Sequence, residues 1–428
     1  MPTILITGST GFIGRHLALT LTDAGHRIIH AVRSPPREPS DRSVHIAVDY
    51  TRDFDVETWQ PRLAGVDVVI NAVGILRERG PQTFQALHEL APQALFRACA
   101  ARGIKVVQIS ALGADENARS RYHLSKKAAD DALLALGSPA VVVQPSLVYG
   151  PGGASTKLFN LMASLPLIPL PGSGDQRVQP VHISDLTQVL VALVETDRFL
   201  GQRVPVVGPE PLSLRRYLSE LRQLMKLGPP TFIPVPLAFV SRSAQASQRL
   251  GGLFDTETWQ MLQRGNTASP AATRALLGHP PRAVSEFAST AAVHGLRRDA
   301  LLDWLQPVLR LALAAVWLVA GVVSMGVYPV EESYVLLERV GISGSPAPVA
   351  LYGAAALDIA FGLGTLFLRR RRYLWIAQAT LIGVYSVAIT FFLPEFWLHP
   401  FGPLIKNLPI LAIILLLYKL ENADAESN

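Results

Sequence analysis

Thr7-Gly8-Ser9-Thr10-Gly11-Phe12-Ile13-Gly14 decides how the first part of this chain is to be read. It follows an apolar run, Thr3 to Thr7, and opens a stretch from Gly11 to Ala24 in which apolar residues recur every three or four positions. A strand that passes through a glycine-rich turn into a helix directs backbone N–H groups and the positive end of the helix dipole at one point, which suits a pyrophosphate. Gly8 is needed for the turn, Gly11 for approach of the backbone to phosphate, and Gly14 for packing of the helix on the strand. The whole loop, including Ser9, Thr10, Phe12 and Ile13, is therefore predicted to hold a dinucleotide. The apolar run has no basic flank and glycines interrupt it, so it is not read as a signal peptide, and the region after it is expected in the cytoplasm.

Outward from the loop, apolar strand candidates alternate with amphipathic helices. The strands are Arg27–Val32, His45–Val48, Val66–Asn71, Lys105–Ser110 and Ala140–Gln144, and the longest helical stretch between them is Thr83–Arg102. Repeated βα units predict a doubly wound parallel α/β sheet of the Rossmann type, with ligands at the carboxyl ends of the strands. The second strand ends Ala31-Val32-Arg33-Ser34, without the acidic residue that accepts from a ribose 2′-hydroxyl. Arg33 pairs naturally with a 2′-phosphate, with Arg15 placed to assist, so NADP(H) is the preferred cofactor and NAD(H) a possible one. In Tyr122-His-Leu-Ser-Lys126 the tyrosine and lysine are four apart, which puts both on one helix face. An adjacent ammonium stabilises the phenolate of a tyrosine whose unperturbed pKa is about 10.

The Gly-x-x-Gly-x-x-Gly spacing, the Tyr-x-x-x-Lys pair, Gln144-Pro145-Ser146-Leu147-Val148-Tyr149-Gly150-Pro151 and Val181-His182-Ile183-Ser184-Asp185-Leu186 together resemble the extended and atypical short-chain dehydrogenase/reductases. With Pro280, Arg282 and Glu286 added, the resemblance covers about residues 1–290 and comes nearest to the NDUFA9-like accessory subunits of respiratory complex I. It implies that Tyr122 is the general acid/base beside the nicotinamide, that Lys126 lowers its pKa and holds the ribose, and that Ser110 positions a carbonyl. It also implies that Asp49 meets the adenine amine, and that Asn71-Ala72-Val73-Gly74 and Gln144-Pro145-Ser146 line the cofactor. The chain departs from that pattern at three places. Leu112 stands where a Ser or Thr polarises the substrate carbonyl, His88 replaces the relay asparagine of a helix, and Gln144 replaces an arginine.

Only 17% of the 428 residues are charged, and the shortage is greatest near the end: residues 301–428 hold 8 Lys/Arg and 9 Asp/Glu, against 31 and 24 in residues 1–300. Segments at about 309–330, 349–368, 373–394 and 402–420 are predicted to cross a membrane, the last being weakest because Lys406 and Pro409 fall in its first turns. The domains are thus expected at 1–295, with a substrate lobe mainly in 151–295, and at 305–420. Pro151–Gly153, Pro166–Gly174 and Gly228–Pro236 are read as loops of the lobe. The run Arg369-Arg-Arg-Arg372 reads as a cytoplasmic topology determinant rather than a nucleic-acid contact, which places the cofactor domain in the cytoplasm at the inner membrane. Four short-connected spans with the small-residue helix Gly353 to Gly362 resemble the DoxX-like family. Asp358 on that helix is expected to bond a neighbour such as Asn407 or to serve a proton or quinone site. One cysteine, Cys99, excludes an internal disulfide, and the scattered histidines suggest no metal site.

These features imply hydride transfer between NADP(H) and a carbonyl or alcohol, with a lipid, isoprenoid or quinone as the small, apolar substrate delivered by the bilayer. The resemblance leaves two alternatives. One is a non-catalytic NAD(P)H-binding scaffold or assembly protein with a respiratory-chain partner; the other is a nucleotide-sugar epimerase or dehydratase.

Overall fold

The computed structural model describes residues 1–36, 44–249 and 256–426. The chain divides into two compact units, Met1–Ala300 and Leu301–Asn428.

In the first unit, β1 (Thr3–Thr7), β2 (Arg27–Val32), β3 (Val44–Ala47), β4 (Val68–Asn71), β5 (Lys105–Ile109), β6 (Ala140–Pro145) and β7 (Arg203–Val206) form one parallel sheet in the order β7-β6-β5-β4-β1-β2-β3. Each predicted strand is present within two residues of its expected bounds. The strands are apolar on both faces because helices cover both: Leu5 belongs to one buried cluster, and its neighbours Ile4 and Ile6 to another. Strand order reverses between β1 and β4, so the ligand crevice lies at their carboxyl ends. Two helices border that crevice, α1 (Phe12–Asp23) after β1 and α3 (Arg121–Ala135) between β5 and β6.

The helix expected over 83–102 is two pieces, a π-helical turn Gln85–Leu90 followed by α2 (Ala91–Ala100). Pro92 has no N–H to give the carbonyl of His88, which disturbs the α register where the pieces join. Two stretches read as loops are partly strands. Ile168–Pro171 pairs in parallel with Phe232–Val235, and Ile168 and Leu170 are fully buried. The prolines mislead here because Ile168 and Gly172 donate the ladder bonds, to Thr231 and Val235, while Pro169 and Pro171 occupy alternate positions that need no donor.

In the second unit, three helices are long and apolar enough to cross a membrane: Thr290–Val327, comprising α5 (Thr290–Val322) and a π turn, then α6 (Pro346–Phe367) and α7 (Arg372–Phe392). The fourth predicted segment becomes α8 (Asn407–Glu426), which begins five residues later than expected because Gly402 takes φ +51°. The apolar stretch that then remains before Lys419 is too short to cross, so α8 is not among the three, although its Ile414 and Leu417 pack with Leu313, Trp317, Phe361 and Trp375 in one core. Asp358 does not bond Asn407. That amide donates to the Ser386 hydroxyl at 2.9 Å, and Asp358 is buried with Oδ1 unpartnered among the described residues. Arg371 of the tetra-arginine run is no free surface charge either: it gives hydrogen bonds to the carbonyls of Thr365 and Leu366 and lies 3.6 Å from Glu421, which also pairs with Arg310 at 2.7 Å.

Candidate functional site

Backbone sterics shape the loop after β1. Gly8 has φ +70°, and a Cβ there would sit 2.9 Å from the Ala72 carbonyl, so the loops after β1 and β4 touch. A Cβ on Gly14 would come within 2.1 Å of the Gly8 carbonyl oxygen, which is backbone and has no room to move. Gly11 caps α1 without any side-chain hydrogen bond, and the first turn carries no acidic residue. The amino-terminal N–H groups of α1 are thus left for an anion. Ser9 is 4% exposed, and its hydroxyl has no partner among the described residues. An orphaned buried hydroxyl beside uncapped N–H groups fits a dinucleotide phosphate.

Not every loop residue points that way. The Phe12 ring lies against Gly153, and the Arg15 guanidinium occupies the space that a Cβ on Gly152 would need. Arg15 is therefore packed on the loop after β6, and its expected partnership with Arg33 is not formed. Arg33 instead meets Gln82, whose amide oxygen, once turned to face it, accepts from both terminal nitrogens at 3.1 and 3.3 Å. Asp49 lies two residues beyond β3. Hydrogen bonds from the Thr51 hydroxyl and N–H hold its carboxyl below the ordinary range, with the charge of Arg33 helping.

Asn71 is fully buried and its side chain is consumed by the protein: Oδ1 accepts from Thr7 Oγ1 at 2.6 Å and from the Tyr50 hydroxyl at 2.8 Å, and Nδ2 donates to Gln108 Oε1 at 2.7 Å. It is a strut across β1, β4 and β5, so only backbone from Asn71 to Gly74 faces the crevice. Gln144 and Ser146 are likewise engaged, donating to the carbonyls of Ala114 at 3.1 Å and Gln179 at 2.5 Å, with Pro145 between them closing β6.

Tyr122 and Lys126 lie one turn apart on α3. Lys126 is 4% exposed, and its Nζ donates to the carbonyls of Val73 at 3.2 Å and Ile109 at 3.1 Å. Gly74 permits this approach, since its Cβ would be 3.2 Å from Nζ. An ammonium has three donors, so one remains, as a ribose hydroxyl would require. Burial and the nearby charge of Asp130 push the Tyr122 phenol up to about 12. The expected lowering by Lys126 is outweighed, and at neutral pH the tyrosine keeps its proton. Its hydroxyl has no hydrogen bond among the described residues. Ser110, the expected carbonyl partner, donates to Asp130 Oδ2 at 2.5 Å.

His88 does not reproduce a relay. Its Nε2 accepts from the Ile75 N–H at 3.0 Å, which leaves the proton on Nδ1, 2.9 Å from Ser125 Oγ. Ser125 in turn donates to the Tyr122 carbonyl. Burial and Lys126 push this imidazole down to about 2, so it stays neutral with both nitrogens used.

Residues 4–208 match the NAD dependent epimerase/dehydratase family and residues 314–415 the DoxX-like family. The amino-terminal half is an epimerase/dehydratase domain. The chain is 35% identical over 212 residues to a protein of Caulobacter vibrioides named ceramide reductase, and 26% identical over 251 residues to subunit 9 of the NADH dehydrogenase 1 alpha subcomplex of Arabidopsis thaliana mitochondria. These matches take in 49% and 56% of this chain and only 64% and 61% of the two relatives, less than two thirds of either. Among solved structures, a nucleoside-diphosphate-sugar epimerase of Staphylococcus aureus superposes with TM-score 0.54 at 17% identity, covering 67% of this chain and 99% of that one. A dTDP-glucose 4,6-dehydratase of Bacillus anthracis gives 0.52 at 16% identity, covering 71% and 98%. At such identities they bear on the fold alone.

Within the first unit, beyond the residues that match the family, α4 (Thr256–Arg264) and the residues after it supply contacts that no motif announces. Arg264 donates to the Gly113 carbonyl and pairs with Asp115, the Asn266 side chain joins the Leu147 N–H to the Leu112 carbonyl, and Glu257 accepts from the Tyr122 N–H at 3.4 Å. These partners are about 120 to 150 residues apart, and no local spacing announces them. Asp185 and Arg282, by contrast, belong to the motifs legible in the sequence, and they form an ion pair, buried on the Asp185 side, that ties the end of the lobe to the helix Ile183–Glu195.

Proposed function

We propose that this protein is a membrane-anchored reductase that uses NADP(H), in preference to NAD(H), to reduce the carbonyl of a lipid-class substrate. The observation that carries the reading is Tyr122: a phenol kept protonated, without a protein partner among the described residues, one turn from a lysine with a donor to spare. Bound NADP(H) supplies the hydride. The chain's own part is to hold the cofactor on the Gly8–Gly14 loop and on Lys126, and to give the Tyr122 proton to the developing alkoxide. The raised pKa keeps the proton on Tyr122 at neutral pH, the form that a reduction requires. Arg33, already in a bidentate contact with an amide oxygen, is the group that would exchange it for a 2′-phosphate.

The ceramide reductase relative and the apolar helices support a lipid substrate. Hydride addition yields an alcohol, so a ceramide-class substrate would be the corresponding ketone. The inner membrane, with the domain on the cytoplasmic side, is the setting we propose. The test uses full-length wild type and Tyr122→Phe in detergent, incubated with NADPH and a ceramide whose secondary alcohol has been oxidised to the ketone. Wild type oxidises NADPH; Tyr122→Phe binds it equally and turns over about 10² to 10⁴ times more slowly.

A second reading, a nucleotide-binding scaffold joined to respiratory-chain proteins, is favoured by the two groups that are tied up: His88 through both nitrogens and Ser110 on Asp130. Tight NADPH binding with no oxidation by wild type would select it.

A further inference from the structure

Asp130 lies one turn beyond Lys126 and two beyond Tyr122, on the same face of α3. No part of it is exposed. Its Oδ2 accepts a hydrogen bond from the Ser110 hydroxyl at 2.5 Å, and among the described residues its Oδ1 has no partner and no ion pair reaches it, the Lys126 ammonium giving two of its three donors to the Val73 and Ile109 carbonyls. A carboxylate buried in this way is costly, and a carboxylic acid is much less so.

The pair has a chemical consequence. A hydroxyl has a single proton. While Asp130 is ionised, that proton belongs to the carboxylate, and Ser110 has nothing to offer a substrate oxygen. Once Asp130 carries a proton, its O–H can donate to Ser110 Oγ, and the serine proton is released toward the crevice. Leu112 supplies no hydroxyl, so Ser110 is the side chain left to polarise a carbonyl.

We propose that Asp130 is a positioning residue, which as a neutral acid turns the Ser110 proton onto the substrate carbonyl. The proposal rests on the reductase reading of the same site. The charged groups that act on Asp130 are Lys126 and Asp131 on its own helix and Arg203 from β7, with the Tyr122 phenol two turns back; His88, on the π turn packed against α3, faces Lys126. Burial raises the Asp130 pKa, and the Ser110 hydrogen bond, Lys126 and Arg203 oppose the rise without cancelling it. A neutral acid is needed, so the active state is present below the Asp130 pKa and is lost as pH rises through it.

Two measurements on the full-length protein test this. The first is the infrared carbonyl stretch of a protonated carboxyl, isolated by subtracting Asp130→Asn so that Asp358 drops out. It is expected at neutral pH, and it should shift in Ser110→Ala, where its hydrogen-bond partner is gone. Absence of the band, or indifference to Ser110→Ala, overturns the proposal whether or not the protein turns over. The second is the pH profile of NADPH oxidation with the ceramide ketone. In wild type kcat should fall about tenfold per pH unit above the Asp130 pKa, whereas Asp130→Asn should stay within about twofold, and this difference should vanish in a Ser110→Ala background. Identical profiles for wild type and Asp130→Asn overturn the proposal. A wild type that shows the band and never oxidises NADPH defeats the reductase reading, and with it any catalytic use of the pair.

Discussion

Replacing Asn71 by alanine tests whether that residue is a strut or a cofactor ligand. The substitution removes three short hydrogen bonds among side chains that are all less than a tenth exposed: Thr7, Tyr50 and Gln108. A buried polar group left without its partner costs about 1–3 kcal/mol. Thr7 retains a 3.5 Å contact to the Ile70 carbonyl and is within hydrogen-bonding reach of the Tyr50 hydroxyl, so both of these losses are partial, while the Gln108 carbonyl has no replacement among the described residues. The expected destabilisation is about 2–5 kcal/mol, or a fall of roughly 4–10 °C in the midpoint at about 2 °C per kcal/mol for a domain of this size. Thermal unfolding of the full chain in detergent measures it. Hydrogen exchange should place the loss in β1, β4 and β5, and below the transition NADPH affinity should change less than about threefold. An unaltered midpoint with a tenfold loss of NADPH affinity would refute the strut and make the amide a cofactor contact.

Arg33→Ala should lower the ratio of NADPH to NADH affinity by roughly ten- to a hundredfold, the worth of a charge-assisted contact; an unchanged ratio in paired titrations would remove the proposed NADP preference. His88 is neutral in the fold because its pKa is depressed, so the unfolded chain takes up a proton first as pH falls. Stability should therefore drop below about pH 6.5, by up to about 1.4 kcal/mol per pH unit, and His88→Gln should flatten that slope in denaturation curves between pH 7 and 4.

The sheet was legible because its signals are local. Apolar strands covered on both faces, glycines whose Cβ would strike backbone, and a tyrosine and lysine one turn apart are properties of neighbouring residues, and their geometry follows from the chain itself. What sequence could not supply depends on contacts between distant segments. Arg15 and Arg33 look like partners on a line of text, yet Arg15 packs against Gly152, a loop that arrives 137 residues later. Asn71 reads as a strand-end ligand until Tyr50 and Gln108 close around it. The strand Ile168–Pro171 was hidden by its prolines, whose tolerance depends on which side of the ladder each N–H faces. Asp130 sat in plain view on the Tyr122–Lys126 face, and only the position of Ser110 gives it a role.

The three departures from the short-chain dehydrogenase pattern bear on one another. Where a relay asparagine would stand, His88 is locked in one tautomer and fastens α3 through Ser125; where an arginine would stand, Gln144 fastens the Ala114 carbonyl. Both replacements spend polar atoms on holding the backbone around Tyr122, and neither leaves a group that can move a proton. The proton-handling groups that remain are Tyr122 itself and the Ser110–Asp130 pair. The phenol is fixed through its own carbonyl and through the Glu257 contact at its N–H, while its hydroxyl is left unpaired among the described residues and the residue is only half-buried. A hydroxyl held in place and still open to the crevice is free to meet a substrate oxygen, and for that reason we read the departures as a stiffened reductase site rather than a lost one.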